Sequence, residues 1–304
     1  MIKLPLPIKK YIDENISAEV GLIGCRATDP KSSVSCCEYD LAVLDQALAG
    51  YQNKFFRIGE HNVELIHITG DLKKNTIATK GMCLVKDSIA DYSIMSSPSG
   101  DHSGQSIANE NYGRALNSFG KKALVRSLFS YDKVSNLLSK KPVLASMWSK
   151  LAAYDFLEGI LALSGCRPMP LHELNQIRSL NIEDQNVSAG IDIAMACIGI
   201  ERATRTTISR SCSAISQLYS QEYDKELVIM KAKQLIKLGR LPDCYYYIGK
   251  MARNILTTKD PLFYNSYSKL IQVALDLSLD SQQVQRLCFD LFNVAKNVLK
   301  NHKR

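Results

Sequence analysis

The hydrophobic pattern divides the chain into two halves of different period. Ile8 to Ser17 spaces its apolar residues as a short helix. Val20 to Gly24 (VGLIG) is a compact apolar run bounded by a glycine, which predicts a buried strand. A polar stretch of small residues, ATDPKSSVS, predicts a loop, and Glu38 to Leu44 (EYDLAVL) predicts a second strand. Phe55 to Ile58 and Val63 to Ile68 read as two strands around a turn of Gly59, Glu60, His61 and Asn62. Ser96 to Asn111 is polar and rich in Gly and Ser, a connecting loop.

From about Lys121 the period becomes helical. Met147, Leu151, Tyr154 and Leu157 share one helix face ahead of Gly165. Ile191, Ala194, Ile198 and Ala203 predict one long helix running past Tyr219. Leu227 to Leu238, Cys244 to Leu256, Tyr264 to Leu277 and Gln282 to Leu299 follow. In the last of these, Val284, Leu287, Leu291, Val294 and Val298 form one apolar stripe. Tyr245, Tyr246 and Tyr247 span most of a helical turn, so at least one of them is expected at the surface. The pattern predicts an α+β protein: a mixed β-sheet domain with flanking helices over residues 1–118, then a helical bundle over 119–304.

Charge sharpens the division. The 304 residues carry a net charge of +8, distributed as −2 up to Ser118 and +10 from Phe119 onward. A basic half suits polyanions, nucleotides and nucleic acid among them; long helices with solvated lysines account for it equally well. Arg202 and Arg205, one turn apart on the expected long helix, are the first candidates for phosphate contacts. The nine cysteines are scattered with no C-x-x-C pair, so reduced thiols are expected rather than a zinc site. No stretch of about 18 apolar residues and no apolar leader with a small-residue cleavage site is present, so neither a membrane span nor secretion is expected, and the location expected is the cytoplasm.

The chemistry concentrates in Gly24 to Leu44. Glu38 and Asp40 lie two apart in an apolar strand, so both side chains point to one face, about 7 Å apart. Like charges at that spacing repel. A fold accepts this where a cation sits beside them, and Mg²⁺ suits oxygen ligands and brings phosphates with it. An edge strand with a solvated acidic face is the other reading. Gly24 ends the preceding strand, where a backbone without Cβ lets amides approach a phosphate. These are the parts of a two-metal phosphoryl-transfer site.

The stretch G-C-R-A (Gly24 to Ala27), a loop, and E-Y-D-L (Glu38 to Leu41) resembles the nucleotidyltransferase superfamily, the DNA polymerase β-like fold that includes kanamycin nucleotidyltransferase. That family carries G-S, a loop of roughly ten residues, an acidic-x-acidic strand and a third carboxylate on a later strand, best matched here by Glu64 in V-E-L-I-H-I. The matching motifs span roughly residues 18 to 70, and the helical second half suits the kanamycin-type architecture. The resemblance implies a nucleotidyltransferase-type sheet and transfer of a nucleoside monophosphate from an NTP such as ATP to an acceptor hydroxyl, with release of pyrophosphate. It implies that Glu38 and Asp40 hold Mg²⁺, and that Glu64 completes a second metal site or acts as general base. The amides of Gly24 and Cys25, with Arg26, would receive the β- and γ-phosphates. The acceptor is open: a small molecule, a nucleic-acid end or a protein side chain. Three departures stand out. Cys25 and Cys37 replace serines of the pattern, and Glu38 replaces the commoner Asp. They keep a second reading open, a non-catalytic member that binds nucleotide, nucleic acid or a partner. Oligomeric state is not legible.

Overall fold

The computed structural model describes residues 4–28, 37–44, 52–68, 83–86, 102–219 and 222–302. The protein is α+β, a mixed sheet followed by helices. It divides into two compact units, Met1–Ala115 and Leu116–Arg304.

The first unit holds helix α1 (Leu6–Asn15), strand β1 (Glu19–Ile23), a single helical turn α2 (Cys25–Thr28), and strands β2 (Tyr39–Leu44), β3 (Gln52–Ile58), β4 (His61–Ile68) and β5 (Cys83–Lys86). The sheet has five strands in the order β3-β4-β2-β1-β5. β2 and β4 run parallel, and the other neighbours are antiparallel. Alternation places Leu41 and Val43 of β2 on one face, with Val20, Leu22, Val63 and Leu65 from the neighbouring strands. Ile8 and Ile12 of α1 close over them to make the core. Such a strand has one face for the core and the other for chemistry. Of the expected loop 27–35, Ala27 and Thr28 belong to α2, and the rest lies outside the described residues. So do residues 96–101 of the second expected loop, whose remainder, 102–111, is helical.

That helix, α3 (His102–Leu137), runs across the unit boundary. The second unit continues with α4 (Pro142–Leu163), α5 (Glu173–Arg178), α6 (Gln185–Ile198), a 3₁₀ turn (Ile200–Arg202), α7 (Arg205–Leu218), α8 (Glu222–Lys237), α9 (Leu241–Leu256), α10 (Pro261–Ser266), α11 (Ser268–Ala274) and α12 (Ser281–Asn301). None of the helices among the described residues is long and apolar enough to cross a membrane.

The expected single helix from Ile191 past Tyr219 is two. Gly199 takes the left-handed conformation (φ 77°) and ends α6, and the Thr204 side chain accepts from the Thr207 amide to start α7. Arg202 and Arg205 are therefore not one turn apart on a common helix. The expected helix 264–277 is likewise interrupted, at Tyr267. Tyr245, Tyr246 and Tyr247 are all buried, against expectation. Their helix, α9, is enclosed on several sides, packing on α7, α8, α5 and α4, so adjacent positions all face protein. Tyr245 donates to Ile198 O and to Asp276, and Tyr246 donates to Glu173, so burial strands neither hydroxyl.

α4 and α9 are the central helices. α4 is buried almost all round from Leu144 to Ala162. Gly249 of α9 faces Tyr154 of α4 so closely that a Cβ there would lie 2.0 Å from the hydroxyl oxygen. Between these helices runs a chain of buried charges. Lys250 reaches Glu173 (3.0 Å) and Glu158 (3.3 Å), Arg253 pairs with Asp155 and Glu158, and the exposed Arg126 of α3 pairs with the same two carboxylates from the surface.

Candidate functional site

The site is built on the sheet face turned away from α1. Leu41 and Val43 point into the core, so Asp40 and Ala42 point the other way. In the parallel pair β2·β4, Asp40 is the register partner of Glu64. Register partners share a face, and neighbouring strands are about 4.8 Å apart. Two carboxylates 24 positions apart in sequence are thereby brought side by side. Glu38 immediately precedes β2 and, two residues before Asp40, continues the same face. Glu38, Asp40 and Glu64 are each partly buried.

On the other side of β2, Ile23 of β1 pairs with Asp40, and Gly24 follows at once. Gly24 has φ 74°, a left-handed conformation that L side chains rarely adopt, and a Cβ there would lie 2.0 Å from Asp40 Oδ2. Glycine is required twice, by conformation and by the carboxylate seated against it. The guanidinium of Arg26, the second residue of α2, donates to Cys37 O (Nη2, 2.7 Å) and to Glu38 O (Nε, 3.1 Å) and lies over the Tyr39 ring. It ties α2 to the chain entering β2, and so holds the backbone that carries Glu38.

The face also holds two residues the sequence pattern does not single out. β4 begins at His61, so Asn62 is a strand residue rather than part of a turn. It lies two before Glu64 on the same face and is buried. Its register partner on β3 is the exposed Arg57. The signal in the sequence was the i−2 spacing from Glu64, hidden by placing the turn two residues too far along.

Neither a protein-family model nor a curated protein matches the chain. Among solved structures it is similar to a nucleotidyltransferase-like protein from Exiguobacterium sibiricum. The identity is 11%, the match covers 88% of this chain and 86% of that one, and the TM-score is 0.34. That overlap is too loose to superpose one site on the other.

The donor set of this face is three carboxylates, all hard oxygen ligands, which fits Mg²⁺ and not a soft metal. The thiols beside it do not change that. A hydrogen bond with Cys37 is the main cause that pushes the Cys25 thiol far above its ordinary value; burial and the nearby Cys37, Asp40 and Glu38 add to it. Cys25 therefore stays neutral at physiological pH and adds no charge to the face.

One consequence is testable on stability alone. Gly24→Ala must either leave the left-handed region or displace Asp40. It is expected to lower the folding free energy by at least about 1–2 kcal/mol, read as a lower urea midpoint with an unchanged slope. A neutral Gly24→Ala would mean that the chain turns differently at this position.

Proposed function

We propose that the first unit is a Mg²⁺-dependent nucleotidyltransferase. The reaction would transfer a nucleoside monophosphate from an NTP to an acceptor hydroxyl. The observation that carries this reading is the register pair Asp40–Glu64, with Glu38 two residues before Asp40 and the obligatory glycine, Gly24, against the Asp40 carboxylate.

Glu38 and Asp40 would hold the metal. When bound, Mg²⁺ neutralises triphosphate charge and orients the nucleotide. The rest falls to the chain's own groups. The amides of Gly24 and Cys25 would receive the β- and γ-phosphates beside β1. Arg26 keeps the entry to β2 in place. Glu64, on the strand beyond Asp40, would complete a second metal site or, instead, accept the proton of the acceptor hydroxyl as general base. The acceptor oxygen then bonds to the α-phosphorus, the bond from that phosphorus to the bridging oxygen breaks, and pyrophosphate leaves with the electron pair. The protein contributes position and charge and forms no covalent intermediate.

One observation favours a second reading, a nucleotide-binding protein without turnover. A neutral thiol, Cys25, hydrogen-bonded to Cys37, occupies the place next to Gly24 where a hydroxyl would serve a phosphate better.

Calorimetric titration of the whole protein with ATP, GTP, CTP and UTP, with Mg²⁺ and with EDTA, tests both readings. Nucleotidyl transfer predicts Mg²⁺-dependent binding of at least one NTP. It also predicts pyrophosphate release once an acceptor is offered from aminoglycoside-like, nucleic-acid or protein pools. Binding without pyrophosphate from any pool supports the second reading, and no Mg²⁺-dependent binding overturns both. If the acceptor is nucleic acid, affinity falls with salt with a log–log slope of about −0.9 per contacted phosphate on duplex and about −0.7 on single strands.

A further inference from the structure

The second unit contains a cavity of about 240 Å³ that the proposed transfer reaction does not use. A single water needs only about 10–15 Å³, so there is room for a small molecule. The walls come from α4, the end of α6, the 3₁₀ turn and the start of α12.

The polar groups on these walls are mostly donors, and several are not fully used. Lys150 of α4, 2% exposed, donates to Tyr245 Oη (3.0 Å) and to Leu275 O. An ammonium has three donors, so one remains. Ser146, one turn before it and 5% exposed, lines the cavity and has no hydrogen-bond partner among the described residues. Gln283 of α12 also lines the cavity, its carbonyl accepting from the Ser278 hydroxyl at 3.4 Å.

Arg202 is the second cation. Its Nη2 donates to Asp276 O (2.9 Å), and its Nε lies 3.4 Å from Asp276 Oδ2. The guanidinium folds back over Gly199, where a Cβ would come within 2.3 Å of Nη2. The glycine that ends α6 therefore also makes room for the charge. Asp276 is already claimed by Arg202, by Arg210 at 4.0 Å and by the Tyr245 hydroxyl. Glu201 is exposed at the rim. Around the cavity Arg202 and Arg210 stand against Asp276 and Glu201, and Lys150 adds a positive charge when it is protonated.

We propose that this cavity binds a small phosphate-bearing anion, held by Lys150, Arg202, Ser146 and Gln283. Donors reach it from α4, from the 3₁₀ turn and from α12. A tetrahedral oxyanion has acceptors for all three walls, whereas a carboxylate has two oxygens in one plane. Arginine and lysine together are a natural phosphate pair. Burial, with Arg202 nearby, pushes the Lys150 ammonium down to about 7, opposed by Asp276 and Glu201. An anion seated beside Lys150 would restore its full charge.

The test is calorimetric titration of the full-length protein in EDTA, so that the metal site proposed on the sheet cannot contribute. The probes are inorganic phosphate, glycerol 1-phosphate and acetate. Saturable one-to-one binding of inorganic phosphate or of glycerol 1-phosphate is expected, with acetate weaker. The tighter of the two phosphates identifies free phosphate or a phosphomonoester as the source. Lys150→Met should weaken it at least about tenfold, since a hydrogen bond to a charged group is worth about 1.5–3 kcal/mol. Ser146→Leu, which fills the cavity without altering charge, should do the same while circular dichroism shows the helices intact. Should Lys150→Met fail to fold, Ser146→Leu and Arg202→Gln carry the test. Absence of phosphate binding at 10 mM, acetate binding more tightly than phosphate, or binding that survives Ser146→Leu and Arg202→Gln overturns the proposal. None of these outcomes bears on nucleotidyl transfer, which requires Mg²⁺.

Discussion

Asp40→Asn is expected to abolish Mg²⁺-dependent nucleotide binding while leaving the protein folded. Asp40 occupies the centre of the acidic face. Glu64 is its register partner on one side, Ile23 and then Gly24 lie on the other, and Glu38 is two residues before it. A metal held on this face must use the middle carboxylate. Groups that only support metal ligands typically cost 10–100-fold when removed, so loss of a ligand itself should cost more than about 100-fold in Mg²⁺-NTP affinity. The amide is nearly the same size as the carboxylate, so the close approach to Gly24 is preserved. Removing one of several neighbouring like charges also relieves repulsion. In EDTA the melting temperature of Asp40→Asn should therefore equal or exceed that of the wild type, and added Mg²⁺-NTP should raise the wild-type value alone. An Asp40→Asn variant that binds Mg²⁺-NTP as tightly as wild type would falsify the site.

The second large effect is on stability. Lys250 is 1% exposed and pairs with Glu173, which is fully buried, and with Glu158. Lys250→Met keeps the length and apolar stem but removes the charge. Breaking a buried pair from one side typically costs about 3–5 kcal/mol, because the partner remains in the interior uncompensated. For a unit of this size that corresponds to a drop in melting temperature of roughly 6–20 °C. The double variant Lys250→Met with Glu173→Gln should recover much of the loss, since the stranded charge is gone. If the double variant is no more stable than Lys250→Met, the cost is packing and not charge.

The effect also has a direction in pH. Burial holds the Glu173 carboxyl above its ordinary value, with Lys250 and the Tyr246 hydroxyl pulling it down. A carboxyl raised in the folded state disfavours folding as pH rises from the unfolded value through the folded one. Without Lys250 the folded value moves further up. The destabilisation by Lys250→Met should accordingly be larger at pH 8 than at pH 5. A loss independent of pH would remove Glu173 from the explanation.

Much of the first unit was legible in the chain. VGLIG, EYDLAVL and the two runs around Gly59 form strands where their apolar alternation placed them, because a strand's faces are set by neighbours two residues apart. The shared face expected for Glu38 and Asp40 rests on the same local rule. Of the stripe Val284, Leu287, Leu291, Val294 and Val298, the first, third and fifth are buried and Leu287 and Val294 are half-buried at its edge. Gly199 shows where local reading stops. Its apolar neighbours continue a helical period on both sides, yet the chain turns there, in the left-handed conformation that a glycine permits and the folded-back Arg202 guanidinium accompanies. The three tyrosines of α9 were misjudged for a related reason: an amphipathic helix exposes one side, but a helix enclosed by others exposes none.

Only the tertiary structure decided which carboxylate stands beside Asp40. Glu64 reads as one acid in an apolar strand. Its place depends on the parallel register of β2 and β4, and a slip of one residue would have turned it into the core. Arg26 could not be assigned from its position after Gly24, because its partners, the carbonyls of Cys37 and Glu38, lie across a loop from it. Lys150 and Arg202 come to one cavity from helices whose packing no periodicity encodes. Period along a chain reports which side of an element is buried. Which elements meet, and at what register, is set by contacts between residues far apart in sequence, and those contacts exist only once the chain has folded.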